Sequence, residues 1–403
     1  MAETNKDKFK EYELIIYGAT GFTGQIATQY IDKNYPELKW AIAGRNKDKL
    51  TALSENCSSK PGILIGNALN KNELDQIAKS TKVILSFAGP FNKYSNSMVD
   101  SCFHANTHYV DITGENIWVK DLIDKYHSEA VKKNIKIIPS CGYDSIPSDI
   151  GVFFSQRELK KPIKKIDCYH SAQGGVSGGT IESGFSMMEY QSNNKLGHTF
   201  LLNPKNTYTE YQKQKSKDKF TIKKIKDIDN WSAPFVMAPA NTRVVRRSSA
   251  ILDENQSGYG HNFVYNEFMS VKKYWIALAI SASLIIFGAM LSLPFRRIFR
   301  PLFTKPGNGP SVKAQNEGWF KGIFIIETED GKKYKSSIYG DGDPGYKSTA
   351  RFACESALCL IKNTEELPNI DGGVLTSATG LGNVLVKRLS EKGVVFEKPS
   401  EIR

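Results

Sequence analysis

The chain has 403 residues, 40% of them hydrophobic, which is enough to bury a large core and points to two or three domains. Its 54 basic and 42 acidic residues leave a net charge of +12, with the excess concentrated at 160–165 and 213–226. No nucleic-acid motif or interleaved aromatic accompanies these lysines, so nucleic acid is excluded as the expected partner and an anionic lipid surface is preferred.

The first element is a short apolar strand, Leu14-Ile15-Ile16, running into G-A-T-G-F-T-G. Gly18 suits a tight turn, Gly21 a close approach of backbone to phosphate, and Gly24 close packing of helix on strand. A helix from Phe22 to Lys33 is expected to aim its unpaired N–H groups and positive dipole end at a pyrophosphate. The predicted cofactor cradle is therefore Gly18, Ala19, Thr20, Gly21, Phe22, Thr23 and Gly24.

A second strand, Lys39-Trp40-Ala41-Ile42-Ala43, ends in Gly44-Arg45-Asn46. An acidic residue at this tip would take the ribose 2′-hydroxyl of NAD, whereas Arg45 suits the 2′-phosphate, so NADP(H) is favoured over NAD(H). Further strands are predicted at 62–65, 82–87, 108–111 and 135–139, alternating with helical stretches as in a doubly wound sheet. The fourth strand runs into Ala88, Gly89 and Pro90, where an open parallel sheet meets the nicotinamide ribose.

The strings G-A-T-G-F-T-G, A-G-R-N, F-A-G-P-F, H-Y-V-D-I-T-G-E (108–115) and S-C-G-Y-D-S-I-P-S-D (140–149) together resemble the saccharopine dehydrogenase-like oxidoreductases. That family is similar to the mycobacterial trans-acting enoyl reductases of lipid assembly. The pieces G-G-V-S-G-G-T-I-E-S (174–183) and K-P-G-N-G-P-S (305–311) extend the likeness over most of the chain. The resemblance implies an NADP-type oxidoreductase acting on a lipid-linked or acyl substrate. The substrate-binding residues of the lysine-pathway enzymes find no match here.

Hydride transfer asks the protein for orientation and a proton donor near the carboxyl ends of the strands. Tyr143 and Asp144, after the sixth strand, and Tyr109, on the fifth, are the candidate catalytic groups, with Asp111 and Glu115 nearby. Ser145 and Ser148 also suit a helix N-terminus beside Pro147. Tyr211 and Lys215 form Y-x-x-x-K inside the lysine-rich stretch 205–229, away from the sheet pattern, and read as a surface insertion. His104 and His108 lie four apart but have no third ligand, so no metal is expected. Cys141 reads as a buried thiol, and a glycine-rich turn opening a helix at Thr180 offers a second anion site or a plain cap.

Between Lys273 and Arg296 there are 22 uncharged residues, which as a helix would extend roughly 33 Å against a hydrocarbon core of about 30 Å. Tyr274 and Trp275 sit at one edge as interfacial anchors would, with bends available at Gly288 and Pro294. Basic residues flank both sides, and the family pieces on either side must share one unit. An embedded hairpin or interfacial helix is therefore preferred to a single span or a buried core helix. The six cysteines form no C-x-x-C pair and the N-terminus is polar, so reduced thiols on the cytosolic side of a membrane, at a lipid droplet or the endoplasmic reticulum, are expected.

The predicted class is α/β: a Rossmann-type doubly wound parallel sheet with a second α+β substrate domain carrying an inserted apolar helical segment. The dinucleotide domain spans 10–150, the substrate domain 151–270 and 301–403, and the membrane-associating segment 271–300. The expected function is NADPH-dependent reduction of a C=C or C=O group of a small-molecule or lipid substrate at a membrane or droplet surface. Two alternatives stay open: a saccharopine-type amino-acid C–N oxidoreductase, and a nucleotide-binding lipid-droplet scaffold without turnover. The sequence leaves the oligomeric state open.

Overall fold

The computed structural model describes residues 10–174, 198–254, 258–291 and 309–402. Its apolar runs form β1 (Tyr12–Tyr17), β2 (Trp40–Gly44), β3 (Gly62–Ile65), β4 (Thr81–Ser86), β5 (His108–Asp111) and β6 (Lys136–Ile138). The remaining strands are β7 (Ile163–Gln173), β8 (Lys224–Ile225), β9 (Asn230–Ala233), β10 (Val264–Val271), β11 (Trp319–Thr328), β12 (Lys333–Asp341), β13 (Gly373–Val374) and β14 (Val395–Glu401).

Seven strands make one sheet in the order β13-β6-β5-β4-β1-β2-β3, and each pairing is parallel. Alternate residues of β1 enter two cores. Leu14 and Ile16 pack with Ala27, Ile31 and Leu358, while Ile15 and Tyr17 pack with Leu74, Met98 and Trp118. Burial on both faces explains why these strands read as continuous apolar runs. The chain winds outward from β1 through β3 and then returns to β4 on the other side of β1, which places the switch point between β1 and β4.

The other sheet has the order β14-β12-β11-β7-β10-β9-β8. β7 and β10 run parallel, whereas β11 is antiparallel to both β7 and β12. The alternation of apolar and polar residues along β11 and β12 suits this antiparallel pairing. The Ile146–Leu159 helix leaves the first sheet and lies on the second, where a Cβ on Gly151 would stand 2.2 Å from the ring of Phe324. Glycine at 151 thus permits helix and sheet to meet.

One boundary differs from expectation. After β12 the chain returns to the first sheet before β14 completes the edge of the second: β13 joins beside β6, and the Thr349–Lys362 helix packs against the Phe22–Asn34 helix, β4 and β5. The dinucleotide unit therefore consists of an N-terminal half and a C-terminal return. A two-residue strand carries no periodicity, which is why β13 leaves no mark in the sequence.

Residues Tyr274–Leu291 form an 18-residue helix directly after β10. Its first turn packs on β9, with the rings of Tyr274 and Trp231 5.0 Å apart and Ala277 buried, while Leu278, Ile285 and Ile286 are exposed at 52%, 74% and 60%. That exposure rules out the buried core helix. At 1.5 Å per residue it extends about 27 Å, and among the described residues no helix is long and apolar enough to cross a membrane. Pro294 and the basic flank after it lie outside the described residues, as do 175–183 and 305–308 of the two later motifs.

Candidate active site

The glycine cradle is built at the carboxyl end of β1. Gly18 has φ +80°, a left-handed conformation that favours glycine, and its N–H donates to the carbonyl of Ala43 at 2.9 Å. A Cβ there would meet the backbone of Phe87 and Ala88 at 3.0 Å, so the turn after β1 and the turn after β4 touch. A Cβ on Gly24 would lie 2.4 Å from the carbonyl oxygen of Gly18 and 2.9 Å from Cα of Ala19, which fixes the close approach of helix to strand.

The Phe22–Asn34 helix starts at Gly21 with no side-chain cap and no acidic residue in its first turn. Its leading N–H groups and positive dipole end are left for an anion. Ala19 is buried beneath the turn. Phe22 is occupied otherwise than expected: its ring packs edge-on against Tyr346 at 4.7 Å, so what it offers a cofactor is backbone. Arg45 follows β2 fully exposed and pairs with no carboxylate among the described residues. These features fit a 2′-phosphorylated dinucleotide: a backbone cradle for the pyrophosphate and a free guanidinium at the ribose tip.

On the nicotinamide side, Ala88, Gly89 and Pro90 form the turn after β4, and the Gly89-Pro90 bond is cis. The turn is held by Glu115, whose two carboxylate oxygens accept from the N–H groups of Phe91 and Asn92 at 2.9 Å each. Glu115 is thus a buried anchor for that turn. Asp111 is also buried, with Oδ1 accepting from the N–H groups of Thr113 (2.9 Å) and Ser140 (3.1 Å) and Oδ2 unpartnered. Burial raises its pKa to about 7.

The candidate donors separate by position. Tyr109 is fully buried in the core beside Trp118, with its hydroxyl unpartnered, and has no opening toward a substrate. Tyr143 lies at the junction of the sheets, its ring edge-on to Phe320 at 5.3 Å and its N–H donating to Thr349 Oγ1 at 3.1 Å. Burial, followed by the nearby Asp144 charge, holds its phenol well above the usual range. Asp144 is half-buried and receives no hydrogen bond among the described residues. Burial first, and the charge of Glu267 second, raise it to about 6.

Around Asp144 the structure assembles a polar cluster that the sequence did not reveal. Ser145 donates to Asn241 Oδ1 at 3.2 Å, and Asn241 Nδ2 donates to Glu267 Oε2 at 3.0 Å. Glu267 Oε1 accepts from the hydroxyl of Tyr265 at 2.7 Å and lies 3.9 Å from His170 Nε2. His170 Nε2 also meets Ser148 Oγ at 3.4 Å and Cys168 Sγ at 3.3 Å, and its ring stacks on Phe235 at 4.7 Å. Burial pushes the Cys168 thiol up, leaving it neutral. Burial also pulls the imidazole of His170 down, but its contacts with Cys168 first and Glu267 second push it the other way, above the usual histidine range. Met237, two residues beyond Phe235, brings its methyl to 3.3 Å from where a Cβ on Gly114, just after β5, would stand. The only sequence signal was a polar alternation, Cys168 and His170, on the inward face of a strand.

The remaining motifs are structural. Tyr211 and Lys215 lie in and at the end of the short Glu210–Lys215 helix near the edge of the second sheet. His108 Nδ1 accepts from the N–H of Lys136 at 3.0 Å, and His104 pairs with Asp100 at 3.7 Å. No metal-holding cluster occurs among the described residues. Cys141 is buried, and all six cysteines are free.

Comparison with known proteins matches residues 14–138 to the saccharopine dehydrogenase NADP-binding domain. A Mycobacterium tuberculosis relative, provisionally named a trans-acting enoyl reductase, is 32% identical over 413 residues, covering 96% of this chain and 97% of its own. The trans-acting enoyl reductase of Mycobacterium ulcerans is 30% identical over 416 residues with the same coverage. Among solved structures, saccharopine dehydrogenase (L-Glu forming) from Saccharomyces cerevisiae matches 97% of this chain and 100% of its own, with a TM-score of 0.55 at 12% identity.

Proposed function

The chain belongs to the saccharopine dehydrogenase-like family that includes the trans-acting enoyl reductases and is an NADP-binding oxidoreductase, and from that premise we propose that it reduces a C=C or C=O group of an acyl or lipid-linked substrate. When bound, NADPH supplies the hydride. The chain cradles the dinucleotide at Gly18–Gly24, selects the 2′-phosphate with Arg45, and provides the proton that must join the substrate after the hydride. Asp144 is the observation that carries the reading: a half-buried carboxyl without a hydrogen bond, raised to about 6, at the carboxyl end of the first sheet. A carboxyl partly protonated near neutral pH can give its proton to the carbon or oxygen left electron-rich, and recover it from solvent.

The site is proposed to work at a lipid surface, on the cytosolic face of a membrane or lipid droplet. The Tyr274–Leu291 helix supports this, since it is apolar on every side yet exposed, with Lys272 and Lys273 exposed at its start and Trp275 63% exposed beside them. An all-apolar helix is stable when surrounded by apolar matter, and lipid supplies it. Six free cysteines support a reducing compartment.

The decisive experiment is NADPH oxidation by the full chain with enoyl and ketoacyl thioesters of increasing chain length, alongside nucleotide binding. Arg45→Ala is expected to weaken NADPH about 10- to 100-fold, consistent with loss of a charge-assisted pair of about 1.5–3 kcal/mol, and to leave NADH unchanged. Asp144→Asn is expected to lower kcat by about 10²- to 10⁴-fold with binding intact. Binding without turnover across that series would replace the reductase with a nucleotide-responsive scaffold.

A further inference from the structure

His170 carries a buried nitrogen without a partner among the described residues. The side chain is 3% exposed, and Nδ1 makes no hydrogen bond there. A polar group buried in this way calls for a partner that the chain itself does not supply. We propose that His170 is a further catalytic residue, whose Nδ1–H holds the carbonyl oxygen of the substrate, and that the bond reduced is a C=C conjugated to that carbonyl. The inference rests on the reading of this chain as a reductase of acyl substrates.

The ring is oriented from its other nitrogen. Nε2 lies 3.3 Å from Cys168 Sγ, 3.4 Å from Ser148 Oγ and 3.9 Å from Glu267 Oε1. Glu267 is itself held, accepting from the hydroxyl of Tyr265 at 2.7 Å and from Asn241 at 3.0 Å. The partner of one ring nitrogen decides what the other carries. With Ser148 and Cys168 donating to it, Nε2 leaves the proton on Nδ1; protonation of the ring adds a second proton at Nε2, toward Glu267, and the first stays in place. Phe235 stacks on the imidazole at 4.7 Å with 29° between the planes, which fixes the direction of Nδ1–H. Gly322 stands opposite His170 in register, and the place of its absent Cβ is 3.8 Å from Cε1, the carbon between the two nitrogens. Glycine thus brings no side chain against that edge of the ring.

Other buried groups without a partner have a different setting: Tyr109 and Tyr259 lie inside apolar cores. His170 lies in a polar cluster that includes Ser145, the neighbour of Asp144, and it is covered by Phe235, which is only partly buried and is followed by the exposed Val236. The same segment reaches the first sheet. Asn116 donates to the carbonyls of Pro239 and Ala240 at 3.1 Å each, and Met237 stands against Gly114. Glu115, between those two positions, anchors the nicotinamide turn. Residues 235–240 therefore border the imidazole at one end and the residues around that turn at the other.

The chemistry gives each group its own atom. When the hydride supplied by NADPH joins the β-carbon of an enoyl thioester, the π electrons pass to the carbonyl oxygen as an enolate. An N–H fixed beforehand at that oxygen acts on charge that develops only then. The Asp144 carboxyl gives its proton to the α-carbon, the carbonyl re-forms, and the carboxylate regains a proton from water, leaving NADP⁺ and a saturated thioester. An oxygen for His170 and a carbon for Asp144 are what a conjugated enoyl group presents. An isolated ketone offers both of them the same oxygen.

The test compares two ligands on the full chain loaded with NADP⁺, which cannot reduce them: the α,β-unsaturated dodecenoyl thioester of coenzyme A, and S-dodecyl coenzyme A, a thioether without the carbonyl. His170→Gln is expected to weaken the thioester about tenfold and to leave the thioether unchanged. The absorption band of a bound dienoyl thioester should shift to the red in wild type, because donation polarises its carbonyl, and should return in the variant. With NADPH, kcat on the enoyl thioester should fall about 10²- to 10³-fold. Equal weakening of both ligands would make His170 structural, and an unmoved affinity and band would leave Nδ1 without a role; either result overturns the inference. So does a wild type that binds the thioester no better than the thioether. Should His170→Gln fail to fold, Glu267→Gln decides: it removes the charge behind the imidazole, and a band shift as large as in wild type rejects the proposal. A carbonyl-dependent affinity and band shift without turnover would uphold His170 as a carbonyl-binding residue and reject the reductase, whereas turnover that His170→Gln leaves intact rejects His170 alone.

Discussion

Glu355 and Arg388 form a buried two-bond pair, with Nε and Nη2 of the guanidinium each 2.8 Å from Oε2. The other oxygen, Oε1, accepts from the hydroxyls of Tyr30 and Tyr35 at 2.6 Å each, so a single carboxylate ties the Phe22–Asn34 helix to the two C-terminal helices. Removing one partner of such a pair leaves an uncompensated buried charge. Glu355→Ala is expected to lower stability by about 3–5 kcal/mol, measured by urea unfolding, with nucleotide affinity falling only as the fold is lost. A change below about 1 kcal/mol would mean that Arg388 finds water once Glu355 is gone.

The contact between Gly24 and Gly18 makes a second prediction. A methyl group on Gly24 must push the helix off the strand by the overlap described above, which costs about 1–3 kcal/mol as overpacking. Gly24→Ala should therefore lose both thermal stability and NADPH binding, whereas Gly331→Ala, in open space at a turn, should lose stability through its left-handed φ without touching binding.

Asp111 gives the fold a pH dependence of known sign. Its folded pKa of about 7 lies above the ordinary value of about 3.9, so the folded state binds more protons than the unfolded between those limits. The contribution is fully present below about pH 4 and is lost as pH rises to about 7, up to roughly 4 kcal/mol. Asp111→Asn keeps an acceptor for Thr113 and Ser140 and should flatten this slope. Wild type and variant unfolding midpoints that run parallel from pH 5 to 8 would show that Asp111 is ionised without penalty.

The apolar helix is the fourth place where a substitution discriminates. Ile285→Asp with Ile286→Asp places two charges on its exposed surface, and flotation with phosphatidylcholine–phosphatidylserine vesicles should be lost. NADPH binding should be kept, because the helix packs on β9 and β10 of the second sheet and not on the glycine cradle of the first. Flotation by the double variant equal to wild type would remove this helix from the lipid contact.

Much of the first sheet was legible because its signals are local. Glycine spacing, buried-strand runs and a basic residue at a strand tip occupy a few adjacent positions each, and Gly18, Gly24 and Arg45 stand where that logic puts them. The cluster around Asp144 was not legible: Ser148, His170, Asn241 and Glu267 come from four elements, and only the register of β10 on β7, with Glu267 opposite Cys168, brings them together. Tyr109 shows the converse error. Its place on a strand of the nucleotide-binding sheet suggested chemistry, but the alternation within β5 turns the ring into the core. Phe22 likewise sits in the cradle by position and serves packing by contact.

The late arrival of β13 and the Thr349–Lys362 helix bears on the order in which this molecule can be made. When the ribosome has released the six strands of the N-terminal half, the face of Leu14, Ile16, Val83 and Leu85 has the Phe22–Asn34 helix but still lacks the Thr349–Lys362 helix. The nascent nucleotide-binding half must wait, with that surface only partly covered, for some two hundred residues of intervening chain. The apolar Tyr274–Leu291 segment emerges during that interval, before the half is closed. The strand order thus makes closure of the nucleotide-binding half one of the last steps of synthesis.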